Sequence, residues 1–207
     1  MKLYYAPGAC SLAPHIVLRE AGLGFTLEKV DLGAKRTETG ADFTRINPMG
    51  YVPALALDNG EILTEAAAIL QYIADRKPEA GLLPAPGSSE RHRALEWLVF
   101  VATELHKGFG PLWNAATPDA YKAIVHQILA KRFALLDRAL AERQYLAGDG
   151  FTIVDAYAFT VVSWADLLKV DLAPYASLRA YLSRIAARPH VQAALRAEGL
   201  AGNAKSA

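Results

Sequence analysis

The chain has 207 residues, 53% of them hydrophobic, with 22 basic and 21 acidic side chains and a formal net charge of +1. That is ample apolar material for one large or two small buried cores, while so even a charge balance announces no polybasic face for nucleic acid or an anionic membrane. The lone cysteine excludes an intrachain disulfide framework and fits a reducing compartment, so a cytoplasmic protein is expected.

In chain order, Leu3 to Tyr5 reads as a strand, and Pro7 and Gly8 break it too soon for a signal peptide. A helical segment from Ser11 to Ala21 stops at Gly22 and Gly24, and Thr26 to Val30 reads as the next strand. Asp42 to Ile46 is a short helical turn. Ala54 to Leu57 and Ile62 to Leu63 are strands about the turn Asp58-Asn59-Gly60, and Glu65 to Arg76 is a helix with Ala66, Ile69, Leu70 and Ile73 on one face. The first third is therefore βαβ followed by ββα. Residues 77 to 89 are rich in Pro and Gly without a period and read as a linker.

Beyond the linker, helical windows cover about 89 to 115, 118 to 143, 153 to 168, 175 to 187 and 189 to 197. Thr152-Ile153-Val154-Asp155 offers a capping box. The pattern predicts two domains, an α/β domain over 1–80 and an all-helical one over 87–207. The longest apolar stretch, Ala156 to Ala165, is too short to span a bilayer. His15, His92, His106, His126 and His190 are scattered, and no metal site is predicted.

Three segments carry candidate chemistry. Cys10 falls where the first strand hands over to the first helix, and a helix N-terminus favours thiolate over the free thiol of pKa about 8.5; an inert buried thiol is the bland alternative. Val52-Pro53 directly precedes a strand and suggests a cis bond, which would turn the Val52 backbone outward for an extended peptide to pair with. An ordinary trans proline is the commoner case. Glu65 puts a carboxylate beside the free N–H groups of a helix start, a combination suited to an amino acid end carrying both charges. Glu65 could equally do no more than complement the helix dipole.

In order and spacing, Tyr5 with Gly8-Ala9-Cys10-Ser11, Asn47-Pro48 with Gly50-Tyr51-Val52-Pro53-Ala54-Leu55, Leu63-Thr64-Glu65, Glu104-Leu105-His106-Lys107 with Pro111-Leu112, and Thr152-Ile153-Val154-Asp155 resemble a bacterial beta-class glutathione transferase over essentially the whole chain. The resemblance implies an N-terminal thioredoxin-like domain, a C-terminal helical bundle bordering the site for the second substrate, and a homodimer. It implies that Cys10 and Ser11 are catalytic, Cys10 facing the glutathione sulfur with Ser11 and Ala9 nearby, and that Val52, between Tyr51 and Pro53, pairs with the cysteinyl backbone. By the same likeness Lys35 neutralises the glycine carboxylate, Glu65 with the Ala66 backbone holds the γ-glutamyl end, and Glu104, His106 and Lys107 come from the second domain, His106 as a catalytic residue. Two positions depart from the family: Ala66 replaces a frequent Ser, and Val99 replaces a frequent Asn.

The implied activity is conjugation of glutathione, as co-substrate, to small hydrophobic electrophiles, with thiol-disulfide exchange or reductive dehalogenation through Cys10 as a second chemistry. No metal, nucleic acid or membrane partner is implied. A non-catalytic protein that binds hydrophobic ligands with the same fold is the alternative. The stripe Leu95, Leu98, Val99, Ala102 and Leu105 reads as core or dimer seam, and Trp97, Phe100, Phe109 and Trp113 as apolar bulk for an electrophile or as interhelical packing.

Overall fold

The computed structural model describes residues 1–200, which divide into two compact units, residues 1–83 with 188–200, and residues 84–187. In the first unit the order is β1 (Lys2–Tyr5), α1 (Leu12–Glu20), β2 (Thr26–Asp31), β3 (Arg36–Thr37), a 3-10 turn (Phe43–Arg45), β4 (Ala54–Ala56), β5 (Ile62–Thr64) and α2 (Ala66–Arg76). The βαβ and ββα blocks appear as the sequence predicts. Strand β3 was missed because two residues are too few to show a period.

The sheet runs β3-β2-β1-β4-β5, with β1 parallel to β2 and the other neighbours antiparallel. Tyr4 pairs with Ala54 and Ala54 with Thr64, so the end of β1, the start of β4 and the end of β5 lie at one end of the sheet. Asp31 pairs with Arg36, which brings the β2–β3 connection, including Lys35, to that same end. The turn before α1, residues 52–53 and Glu65 are thereby gathered by strand register alone. Tyr4, Ala6, Val30, Phe43, Val52 and Ala54 form a buried cluster beneath them.

The second unit contains α3 (Ser89–Phe100), a π-helical turn (Val101–His106), α4 (Lys107–Trp113), α5 (Asp119–Leu140), α6 (Ile153–Val162), α7 (Trp164–Leu167) and α8 (Ala176–Ala186). Every residue of α6 is buried, as an apolar run without a polar face requires. The predicted capping box is present: Thr152 Oγ1 accepts from Val154 N–H at 3.2 Å, and Asp155 Oδ2 accepts from Thr152 N–H at 2.8 Å. Asp155 also accepts from Leu146 N–H and the Tyr181 hydroxyl, each at 3.0 Å.

The last helix, α9 (Pro189–Ala197), groups with the first unit, whereas the sequence predicts one helical domain over 87–207. Polar ties of long sequence separation account for the difference. Arg188 forks onto Glu20 at 2.8 and 2.9 Å, and buried Glu198 takes Gly8 N–H at 2.9 Å and His15 Nδ1 at 2.7 Å. Arg19 Nε donates to the remaining His15 nitrogen at 2.9 Å. No periodic pattern announces such contacts. No helix among the described residues is long and apolar enough to cross a membrane.

Candidate active site

Cys10 lies in a tight turn between β1 and α1. Ala9 N–H donates to Ala6 C=O at 3.1 Å, Leu12 N–H to Ala9 C=O at 2.9 Å and Ala13 N–H to Cys10 C=O at 3.2 Å. The first helical donors are thus satisfied by the turn itself rather than left open toward the sulfur, contrary to the sequence expectation. The Cys10 thiol is half-buried and donates to Val52 C=O at 3.1 Å, a bond that requires the S–H proton. Val52-Pro53 is cis.

Ser11 differs from the expectation of a reacting hydroxyl. It is fully buried, accepts from Ala6 N–H and donates to Ala6 C=O, both at 3.2 Å. Both functions of its hydroxyl are spent inside the turn, so it holds Cys10 in place instead of facing a ligand.

At the neighbouring strand end Glu65 has φ 68° and opens α2 without a side-chain cap. Its carbonyl accepts from Ala68 and Ile69 N–H at 3.0 and 2.9 Å, while the N–H groups of Ala66 and Ala67 have no partner among the described residues. A non-glycine residue at positive φ costs roughly 1–3 kcal/mol, and here it leaves the Glu65 carboxylate exposed beside two unpaired donors. That is a site for a positive and a negative group held side by side. Ala66 is buried and contributes only its backbone N–H.

Lys35, also at positive φ (54°), reaches Gly50 C=O at 3.0 Å and lies over the exposed Tyr51 ring at 5.6 Å. Gly50, at φ 65°, suits the close approach, since a Cβ there would meet the Lys35 chain at 3.3 Å. The ammonium is held at the rim with two of its three donors left for an anion.

In the second unit the three candidates have different surroundings. Glu104 is paired with Arg132 of α5 at 2.6 Å. Lys107 is exposed. His106 ends the π turn, with Nδ1 2.6 Å from the Tyr157 hydroxyl and its ring edge-on to Trp164 at 5.1 Å. Burial, assisted by the nearby Lys107 charge, lowers its pKa from 6.5 to about 4, so the imidazole is neutral at physiological pH.

Of the predicted apolar bulk, Phe109 is fully buried core and Trp113 is 51% exposed, edge-to-face with Trp164 at 5.7 Å. The helix buries Ala94, Leu98, Val101, Leu105 and Phe109, while Val99 is 56% exposed and does not join the core. The π turn shifts the register of the buried face. Sequence reasoning missed Tyr157, Gly50 and Glu198; a polar handle on an otherwise apolar helix was the one available signal for Tyr157.

Residues 8–76 match the family model for the glutathione S-transferase N-terminal domain and residues 100–189 that for the C-terminal domain. Glutathione S-transferase GstA of Escherichia coli O157:H7 is 50% identical over 97% of this chain and 100% of its own length. The chain belongs to the glutathione S-transferase family, in its bacterial beta class. A sphingomonad glutathione S-transferase complexed with glutathione superposes with a TM-score of 0.94 at 51% identity, covering 97% of this chain and 100% of that one. A bacterial beta-class glutathione S-transferase from Sphingomonas chungbukensis gives a TM-score of 0.94 at 48% identity over 97% of this chain and 100% of that one.

Proposed function

We propose that the protein conjugates glutathione to small hydrophobic electrophiles, acting as a homodimer in the cytoplasm. The first unit binds the tripeptide along the end of its sheet. Glu65 takes the γ-glutamyl ammonium, and the N–H groups of Ala66 and Ala67 take the adjoining carboxylate. Val52, flanked by Tyr51 and Pro53, pairs with the cysteinyl backbone, and Lys35 meets the glycine carboxylate. The glutathione sulfur then lies by Ala9 and Cys10, whose turn Ser11 holds.

The second unit supplies His106 and Lys107, with the exposed edge of Trp113 as apolar surface for the electrophile. Fixing both reactants supplies proximity. Glu104, already paired with Arg132, orders its helix and reaches glutathione only if that pair opens. Exposed Val99 suits a seam between two copies.

The observation that carries this reading is the arrangement at Glu65, where an exposed carboxylate and two unpaired backbone donors lie at the same sheet end as Cys10. Thiol-disulfide exchange is a second reading, favoured by the half-buried Cys10 thiol lying at that same end; it requires the thiol to leave its bond to Val52 C=O. In it, deprotonated Cys10 attacks glutathione disulfide, forms a mixed disulfide and releases glutathione thiolate. Intact mass after loading with glutathione disulfide, with and without reductant, separates the two. Conjugation of a chlorinated nitroarene by wild type and Cys10→Ala tests the first; no glutathione-dependent turnover by wild type would overturn it.

A further inference from the structure

The surroundings of His106 favour one placement of its ring proton over the other. Tyr157 sits in the middle of α6, 2% exposed, with its ring perpendicular to the imidazole at 85° and its hydroxyl 2.6 Å from Nδ1. Hydrogen bonds donated by O–H groups centre about 0.2 Å shorter than those donated by N–H groups, so this distance fits the phenol as donor. Chemistry agrees, because an imidazole nitrogen is a better acceptor than a phenol oxygen, and the neutral ring has one proton to place. With Nδ1 accepting, that proton sits on Nε2.

Packing alone does not call for a tyrosine. The ring already contacts the imidazole face to edge, and a buried phenol adds the demand that its hydroxyl find a partner. That hydroxyl is matched to a side chain that closes a π-helical turn, a local unwinding frequent at functional sites. Trp164, 5.1 Å away on the imidazole, restrains the ring from turning over.

We propose that Tyr157 is a positioning residue for the conjugation reaction: by donating to Nδ1 it locks His106 as the Nε2–H tautomer, a neutral donor toward an acceptor oxygen, carbonyl or nitro, on the electrophile. This rests on His106 facing the second substrate. His106 then takes no proton during the attack; its hydrogen bond strengthens as negative charge develops on the electrophile's oxygen, a form of electrostatic stabilisation.

The test compares wild type, Tyr157→Phe and His106→Ala. Long-range proton–nitrogen NMR of the His106 ring at neutral pH should show a single Nε2–H tautomer in wild type and a mixture in Tyr157→Phe. With a nitro- or carbonyl-bearing electrophile, kcat of Tyr157→Phe should fall about 3- to 10-fold, with KM for glutathione unchanged. Turnover of a simple alkyl halide lacking an acceptor oxygen should not change. An Nδ1–H tautomer in wild type overturns the proposal without any variant having to fold. If His106→Ala loses activity but Tyr157→Phe does not, the positioning role is wrong and the His106 reading survives; if neither loses activity, both fail.

Discussion

Two helix starts in this chain use the same backbone problem in opposite ways. At α6 the unpaired N–H groups of the first turn are closed by Thr152, and Asp155 is saturated by Thr152, Leu146 and Tyr181. At α2 the residue before the helix sits at φ 68°, makes no cap, and leaves both its carboxylate and the donors of Ala66 and Ala67 open. The first is buried and has nothing left to offer a ligand; the second carries strain and has its whole capacity free. A polar group's unused hydrogen-bonding capacity, rather than its residue type, separates the structural end from the functional one.

The sharpest way to break the comparison is at α6. Asp155→Ala strands several buried donors at once, each costing about 1–3 kcal/mol, so stability should drop by about 3 kcal/mol or more in a denaturant titration. A loss under 1 kcal/mol would mean that the saturated start is no more structural than the open one.

His106 gives a pH test within the second unit. Its folded-state pKa of about 4 lies below the unfolded value of about 6.5, so the unfolded chain takes up the proton first. Stability should decline as pH falls from about 6.5 to 4 and lose no more to this group below that, by about 3 kcal/mol at most. His106→Phe should flatten that part of the stability curve relative to wild type, and identical slopes would show that His106 is not buried as described.

Ser11 is a smaller case of a saturated polar group. Removing its hydroxyl leaves the Ala6 N–H and C=O to find other partners, and Ser11→Ala should cost about 2 kcal/mol. Thermal unfolding measures it, and glutathione affinity corrected for the folded fraction should change little. A variant with wild-type stability and weakened glutathione binding would return Ser11 to the site.

Much of this is legible in the sequence. The βαβ and ββα blocks follow from period and punctuation, and Thr152 and Asp155 from a local cap. Val52-Pro53, Glu65 and the place of Cys10 before α1 were readable one by one because each depends on its immediate neighbours, whereas the turn's use of the donors near Cys10 was not. What escaped depends on distant partners: α9 joins the first unit through Glu20 and Glu198, and Tyr157 acquires meaning only when His106 is placed beside it. Ser11 was misread because its location in the Cys10 turn is visible in sequence, whereas the direction of its hydroxyl is not.

The central claim is that the open start of α2 recognises the γ-glutamyl end. Calorimetric titration of wild type and Glu65→Gln with glutathione and with cysteamine, which has a thiol but no γ-glutamyl group, tests it directly. Glutathione affinity should fall about 5- to 150-fold in Glu65→Gln, corresponding to about 1–3 kcal/mol for a charge-assisted hydrogen bond, with an unchanged circular dichroism spectrum and no change toward cysteamine. Equal glutathione affinity in the two proteins would contradict the account.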